Sequence, residues 1–214
     1  MYLGIGVVLA NRRFLPDDAL VPQFDVVAIG ASAGGVEALH VVVSTLPAGF
    51  PAAVLIVQHM DPRHKSMLAG LLARRCLLPV KHASPGEEVR PAMVYIAQPD
   101  AHLIVRDRRL VLTDTALVHF SRPSIDLLFE SVADVYGDRA IAVVLSGSGV
   151  DGADGIRAIK AKGGTTIAQH PASAAHGGMP QAARATGCID VTVPLEDIGP
   201  AIVSLVVPSA GDDA

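Results

Sequence analysis

The sequence is poor in cysteine, in excess positive charge and in long apolar runs, and each shortage excludes a class of protein. Cys76 and Cys188 are the only cysteines among 214 residues, which excludes a disulfide scaffold and is typical of a reduced intracellular protein. The formal net charge of -4 leaves no broad basic surface for nucleic acid or for an anionic membrane. We therefore expect a cytoplasmic protein that binds no nucleic acid.

The apolar segment at residues 1–10 does not favour a signal peptide or a membrane anchor. It is too short to span a bilayer, and the basic pair Arg12-Arg13 follows it instead of preceding it. We therefore expect no direct insertion into a membrane.

One domain is expected between two irregular ends. Residues 1–23 are predicted to be an extension and linker, because residues 11–23 contain two prolines and show no clear period. Residues 208–214 are predicted to be a disordered tail. The remaining residues, 24–207, form the predicted domain, and a hydrophobic content of 50% is enough to give it a large core.

Alternating strand and helix patterns predict the architecture of this domain. Phe24–Ile29 and Ala52–Val57 are apolar runs of the kind found in parallel strands that are covered on both faces. Between them, Gly34–Leu46 shows the helical spacing of apolar residues, which Pro47 ends. The later predicted helices are Lys65–Arg75, Ser124–Tyr136, Ala153–Lys162, a short one opened by Pro180, and Leu195–Val206, and the later predicted strands are Ala140–Leu145, Thr165–Gln169 and Ile189–Val193.

Residues 80–113 show a different pattern, in which short apolar segments alternate with prolines and glycines. The segments are Val80–Ala83, Met93–Ala97, Leu103–Arg106 and Leu110–Leu112. They predict hairpins and an antiparallel excursion at a sheet edge. The whole domain is therefore predicted to have an α/β fold with three layers, doubly wound around a mostly parallel sheet with an antiparallel edge hairpin.

Three residues with catalytic chemistry follow three of the predicted strands. Ser32 follows the first strand, His59 follows the second, and Asp151 follows the strand Ala140–Leu145. Residues that follow parallel strands gather along one edge of a doubly wound sheet, so we expect these three to meet. A serine hydroxyl needs an imidazole to accept its proton, and the imidazole needs a carboxylate to fix its tautomer. The glycines around Ser32 and the helix after it favour a close approach of substrate and an oxyanion held by backbone N–H groups.

Each of these residues has a simpler interpretation when it is taken alone. A serine beside glycines is more often a turn residue, a histidine at a strand end is usually structural, and Asp151 could cap its helix. Residues 30–34 match the G-x-S-x-G string of a nucleophile elbow, but the order Ser, His, Asp is not the order of that fold. The coincidence of all three on one predicted edge favours catalysis.

Two alternative sites, one for a dinucleotide cofactor and one for a metal, are less well supported. A dinucleotide fingerprint needs glycine where Ser32 stands and an acidic residue about 20 positions later, and Thr45–Pro51 contains none. A metal site formed by His59, Asp61 and His64 matches no usual zinc spacing. We expect neither a cofactor nor a metal.

Six motifs in a fixed order carry a resemblance to a known family. They are residues 29–35 (Ile-Gly-Ala-Ser-Ala-Gly-Gly), 58–60 (Gln-His-Met), 95–97 (Tyr-Ile-Ala), 122–126 (Arg-Pro-Ser-Ile-Asp), 145–152 (Leu-Ser-Gly-Ser-Gly-Val-Asp-Gly) and 178–180 (Gly-Met-Pro). Over roughly residues 24–193, the sequence resembles the catalytic domain of CheB, the chemotaxis receptor methylesterase.

The resemblance implies a serine hydrolase of chemotaxis signal transduction. Such an enzyme demethylates glutamate γ-methyl esters on chemoreceptors, releases methanol and, in many members, also deamidates receptor glutamines. By position, Ser32 is the nucleophile, His59 the general base and Asp151 the orienting acid. The partners it implies are the methylated cytoplasmic helices of chemoreceptors, and we expect a monomer.

The resemblance places four further residues near the expected substrate-binding and oxyanion region. They are Ala33, Ser148, Arg122 and Met179. Loop packing and helix capping explain the last two equally well.

Two departures from the family pattern matter. Ala33 stands where many members have threonine, although other members also carry alanine. Residues 1–23 are too few to hold the receiver domain that usually precedes the esterase, so we expect a catalytic domain without an attached receiver. The alternatives are constitutive activity, regulation in trans, a pathway other than motility, and a non-catalytic scaffold that keeps the fold.

Overall fold

The computed structural model describes residues 23–60 and 66–207 of the chain. Almost all of the predicted extension and the whole predicted tail lie outside the described residues. The strands are β1 (Val26–Ala31), β2 (Ala53–Gln58), β3 (Val80–His82), β4 (Val94–Ile96), β5 (His102–Arg106), β6 (Arg109–Thr113), β7 (Ala140–Val144), β8 (Thr165–Gln169) and β9 (Val191–Val193). The helices are α1 (Gly35–Ser44), α2 (Leu68–Leu72), α3 (Ile125–Tyr136), α4 (Ala153–Ala161), α5 (Gly178–Ala185) and α6 (Leu195–Val206).

A parallel sheet of seven strands forms the centre of the fold, in the order β3-β4-β2-β1-β7-β8-β9. Its central strands β1 and β2 are buried along their whole length, because helices cover both faces of the sheet. Alternate side chains of β1 enter two separate cores. Val27 and Ile29 pack in the core beneath α1, α2 and α6, whereas Val26 and Ala28 pack in the core beneath α3, α4, α5 and the β5–β6 hairpin. These layers confirm the predicted three-layer, doubly wound α/β fold.

The prediction for residues 80–113 was wrong in one respect. Val80–His82 and Val94–Ile96 do not form hairpins, because they are parallel strands at one edge of the main sheet, with β4 paired to β2. Of these four segments, only the two that form β5 and β6 pair antiparallel with each other, in a separate sheet of two strands that packs on α3. The prolines and glycines therefore mark crossover turns as well as a hairpin.

The predicted boundaries hold closely for most helices, and α3 shows why. Ser124 caps the helix with its hydroxyl, which accepts the N–H of Leu127, and Gly137 ends it with a φ of 56°. Helix α2 is shorter than the predicted Lys65–Arg75, whose first residue lies outside the described residues. Within the described part of the chain, no helix is long and apolar enough to cross a membrane.

The close approach of α4 to α3 requires a small residue at position 155, and this can be tested. A Cβ on Gly155 would lie 2.5 Å from Phe129 Cβ. We expect Gly155→Ala to lower the free energy of unfolding by about 1–3 kcal/mol, because overpacking forces the backbone to shift. Urea unfolding of the purified protein measures the change.

Gly70→Ala is the matched control, because Gly70 lies within α2 and a Cβ there would meet nothing within 4 Å. This variant should gain up to about 1 kcal/mol through helix propensity. Equal effects of the two substitutions would contradict the packing described for α3 and α4.

Candidate active site

The candidate site lies at the carboxyl edge of the central strands. The chain runs outward from β1 in both directions, to β2 on one side and to β7 on the other, and such a reversal opens a crevice beyond the strand ends. Ser32 directly follows β1 and His59 directly follows β2. The register pairs Ala31 with Gln58, so the next residues of each strand, Ser32 and His59, are neighbours.

The turn that carries Ser32 is fixed by backbone contacts. Ser32 N–H donates to the Ser146 carbonyl at 2.9 Å, and Gly35 N–H donates to the Ser32 carbonyl at 2.8 Å. Gly34 has a φ of 71°, and a Cβ there would lie 2.7 Å from Ala175 Cβ. Only glycine meets both conditions, so the residues around Ser32 are held in a tight strand-to-helix turn.

The structure brings His59 and Asp151 together. His59 Nε2 lies 2.8 Å from Asp151 Oδ2, and the exposed fractions of the two side chains are 15% and 3%. With its Nε2–H donated to the carboxylate, a neutral imidazole carries its lone pair on Nδ1. The Ser32 hydroxyl makes no hydrogen bond with any described residue. The His59–Asp151 pair is therefore formed, and Ser32 lies at the neighbouring strand end. Bonds between nucleophile and base often tighten only around substrate.

Asp151 is held at the amino terminus of α3. Its Oδ2 accepts Ile125 N–H and its Oδ1 accepts Asp126 N–H, each at 2.9 Å, and the Ser124 hydroxyl lies 3.1 Å from Oδ1. Burial acts to raise the pKa of the Asp151 carboxyl, but the His59 hydrogen bond and the two backbone N–H groups outweigh burial and lower this pKa. Asp151 is therefore an anion at neutral pH, as a partner for an imidazolium must be.

Asp126 has the opposite electrostatic balance. Its Oδ1 accepts the N–H groups of Gly155 and Gly152, at 2.8 and 2.9 Å, yet the side chain is buried. Burial, together with the negative charge of Asp151, raises the pKa of Asp126 to about 6 despite these hydrogen bonds.

Gln58 is a site residue whose role the sequence did not reveal. Its amide Nε2 donates to the carbonyls of Ser32 and His59, at 2.8 and 2.9 Å, and so ties the two loops together. The side chain is 3% exposed. An amide at the end of an apolar strand, directly before a candidate base, is the signal that could have identified it.

Ser146 and His102 also support the site from positions that the motifs did not single out for this purpose. Ser146 Oγ donates to the Ala33 carbonyl at 2.8 Å and accepts His176 N–H at 3.0 Å. Buried His102 accepts Ser124 N–H on Nδ1 at 3.1 Å, which fixes the start of α3. All three contacts join segments that are distant in sequence.

The four additional residues that the resemblance placed near the site occupy different positions. Ala33 N–H makes no hydrogen bond with any described residue and lies directly after Ser32. Ser148 is exposed in the loop before Asp151. Met179 is 1% exposed, and a Cβ on Gly147 would lie 2.2 Å from its sulfur and 2.9 Å from Ser32 Cβ. Its side chain therefore lies beneath the site.

The guanidinium of Arg122 is engaged with two loops. It donates to Asp100 Oδ1 at 2.6 and 2.8 Å, and to the carbonyls of Asp114 and Thr115 at 2.7 and 2.9 Å. These contacts favour loop packing as its role, and a contact with substrate stays a prediction.

One group of side chains in the described part of the chain has ligand atoms close enough to hold a metal. His119, Asp126 and Asp154 offer atoms within 4.8 Å of one another. His119 is already paired with Asp126, and Asp154 with Arg157. Of the metal set considered from the sequence, Asp61 and His64 lie outside the described residues.

A cleft of about 240 Å³ lies at the opposite edge of the sheet, lined by residues that include Asp25, Glu88 and Arg108. The Asp25 carboxylate binds Arg139 and Arg108, and the hydrogen bond from Arg139 is the largest cause of its lowered pKa. None of the described residues that line this cleft is a histidine, so it has no counterpart of the His59–Asp151 pair.

The fold and the residues at the carboxyl edge together define a class of protein. Its members are doubly wound α/β proteins that carry a hydroxyl, an imidazole and a carboxylate where the strand order of the sheet reverses. Within that class, the chain belongs to the CheB methylesterase family, whose family model matches residues 27–202. The fold is shared with the crystal structure of the Thermotoga maritima CheB methylesterase catalytic domain. The TM-score is 0.82 and the identity 35%, over 86% of this chain and 99% of the Thermotoga chain.

Relatives differ in how much of their own length this chain matches. The protein-glutamate methylesterase/protein-glutamine glutaminase of Moorella thermoacetica is 40% identical over 210 residues, which are 94% of this chain and 48% of the relative. A protein of Leptospira interrogans is 37% identical over 184 residues, 86% of this chain and 95% of the relative. The chain thus spans about half of the first relative and nearly all of the second.

The raised pKa of Asp126 predicts a pH-dependent gain in stability for Asp126→Asn. The folded protein binds this proton more tightly than the unfolded chain, whose ordinary value is 3.8. The stabilisation from Asp126 is therefore complete below about pH 4 and is lost as the pH rises through about 6. An asparagine side chain does not ionise, so its contribution to stability does not fall as the pH rises. The variant should therefore be more stable than the wild type at about pH 7 and similar to it at about pH 4.

Thermal unfolding of both proteins between about pH 4 and 8 measures this difference. Asp107→Asn, at an exposed residue of the β5–β6 turn, is the control for the loss of a surface carboxylate. A difference for Asp126→Asn that stays constant over this range would contradict the assignment.

Proposed function

We propose that this protein is a serine-dependent protein-glutamate methylesterase that hydrolyses γ-methyl esters of glutamate. The observation that carries the proposal is the His59–Asp151 hydrogen bond beside Ser32, in a chain of the CheB methylesterase family. The names of relatives such as the Moorella protein support the same chemistry.

The first half of the reaction forms an acyl-enzyme. Ser32 Oγ attacks the ester carbonyl carbon while His59, through the lone pair on Nδ1, takes the hydroxyl proton. A C–O bond forms, and the carbonyl π electrons move to the oxygen of a tetrahedral intermediate. The intermediate collapses when the bond to the methoxy group breaks and His59 returns the proton to it, which releases methanol.

The second half regenerates the enzyme. A water molecule attacks the γ-glutamyl ester on Ser32 while His59 accepts a proton from the water. The bond to Ser32 Oγ then breaks, Oγ takes the proton from His59, and the product leaves as the glutamate carboxylate after its remaining acid proton passes to solvent. Asp151 stays an anion throughout, and its charge favours the imidazolium that forms in each half.

The oxyanion is proposed to bind at the turn after Ser32. Ala33 N–H makes no hydrogen bond with the described residues, and the turn leads into the amino terminus of α1, where N–H dipoles favour negative charge. The backbone around Ser148 is the second candidate, because the loop that carries it adjoins Ser32 through Gly147.

Deamidation of glutamine follows from the same acyl-enzyme. The attacked group is then a carboxamide, and His59 must protonate the nitrogen so that ammonia leaves in place of methanol. The relatives' names include protein-glutamine glutaminase, which favours this second substrate.

The substrates of the esterase reaction would be methylated cytoplasmic helices of chemoreceptors, and the reaction would take place in the cytoplasm.

Replacing Ser32 by alanine tests the proposed function. We expect methanol release from a methylated chemoreceptor cytoplasmic fragment to fall by roughly 10⁵-fold or more, because the covalent intermediate cannot form. Gas chromatography of the methanol gives the rate, and circular dichroism confirms that the variant is folded.

Ser204→Ala provides the matched control, because Ser204 is an exposed serine of α6. It should keep the wild-type rate. Substantial methanol release by the folded Ser32 variant would refute the proposal, and a wild type that releases none would favour a scaffold.

A further inference from the structure

The amino termini of α3 and α4 exchange caps. Asp151, which precedes α4, accepts the N–H groups of Ile125 and Asp126 in the first turn of α3. Asp126, in the first turn of α3, accepts the N–H groups of Gly152 and Gly155 at the start of α4. Each aspartate therefore belongs to one helix end and satisfies the orphan N–H groups of the other.

The cap from Asp126 acts on the residue that follows Asp151. Gly152 N–H lies 2.9 Å from Asp126 Oδ1, and Gly152 has a φ of 100°, which few other residues adopt. The peptide group that joins Asp151 to Gly152 is therefore held by the Asp126 carboxylate. A shift of this peptide group would move the Asp151 carboxylate away from His59.

The second oxygen of Asp126 is buried and accepts no hydrogen bond from the described residues. Asp126 Oδ2 lies 3.2 Å from His119 Nε2, and His119 and Phe120 form a turn in which both residues have positive φ, 48° and 61°. Such backbone is strained for residues other than glycine. This turn places the imidazole beside Asp126 Oδ2, whereas the hydrogen bonds that Asp126 accepts from the described residues run to Oδ1.

From this geometry we infer that Asp126 is a positioning residue for the reaction, which holds the Asp151 carboxylate on His59 through the Gly152 N–H. The inference rests on the proposed function of Asp151. Asp126 touches neither Ser32 nor the ring of His59 among the contacts of the described residues, so it acts through Asp151.

Asp126 does not have the properties of a residue present for stability alone. It is buried beside a second carboxylate, and above about pH 6 its ionised form costs stability, as its raised pKa shows. A costly charge of this kind is expected where function requires it.

The test compares three substitutions at position 126 with one control. Asp126→Ala removes the acceptor, Asp126→Asn keeps an oxygen for the two N–H groups, and Asp126→Glu keeps the charge but moves the oxygens by one methylene. Asp154→Ala is the matched control, since Asp154 lies in the first turn of α4 as Asp126 lies in that of α3, but Asp154 is exposed and binds Arg157. Steady-state methanol release is normalised to the sites that a fluorophosphonate titrates.

We expect Asp126→Ala to lower kcat by about 10-fold to 100-fold with little change in KM, because a misplacement of about 1 Å can cost this much. Asp126→Asn should restore most of kcat, and Asp154→Ala should match the wild type. If the alanine variant does not fold, Asp126→Glu replaces it and should also lose kcat.

A double-mutant cycle separates positioning from a general structural role. In an Asp151→Asn background, Asp126→Ala should cost less than threefold, because the carboxylate that it positions is already gone. If the losses of kcat from Asp126→Ala and Asp151→Asn multiply in the double variant, the inference is overturned. It is also overturned if Asp126→Ala alone keeps the wild-type kcat per titrated site. An Asp151→Asn variant with full activity would instead overturn the proposed function.

Discussion

The hydrogen bond between His59 and Asp151 is the contact on which the site depends. It joins residues 92 positions apart, on opposite sides of β1, because the chain adds strands to one side of β1 first and to the other side later. A carboxylate that is 3% exposed is costly unless it is compensated, and three donors around Asp151 provide the compensation. The same contacts therefore join the carboxyl edge of the sheet to the packing of α3 on α4.

Polar contacts at this edge link every segment that the proposed mechanism needs. Gln58 ties the loops of Ser32 and His59, Ser146 ties the turn after Ser32 to the segment before α5, and His102 ties the hairpin to α3. Apart from the contact of Gln58 with the adjacent His59 carbonyl, each contact joins residues at least 22 positions apart and is partly or wholly buried, so each forms only in the complete fold. Such networks favour a single arrangement of the reactive groups, because a partly satisfied buried network is unfavourable.

The sequence predicted those features that depend on local pattern. Apolar runs identified β1 and β2, Ser124 identified the start of α3, and strand ends identified Ser32, His59 and Asp151 as neighbours. The pairing of β3 and β4 could not be predicted, because strand length and prolines do not reveal the direction of the partner. The contacts of Gln58 and Asp126 could not be predicted, since they join segments far apart in the chain, although the position of Gln58 directly before a candidate base was a signal for a site residue. Likewise, the pKa of Asp126 depends on burial and on Asp151, neither of which its own neighbours in sequence reveal.

The central claim is that Ser32 is the nucleophile of a covalent mechanism, and trapping the acyl-enzyme tests it most directly. The protein is mixed with an excess of methylated chemoreceptor peptide, quenched in acid within the first turnover, digested and analysed by mass spectrometry. A covalent mechanism at Ser32 predicts a γ-glutamyl adduct of the peptide on this residue, formed together with a burst of methanol. A burst of methanol without any adduct on Ser32, or with an adduct on another residue, would contradict it.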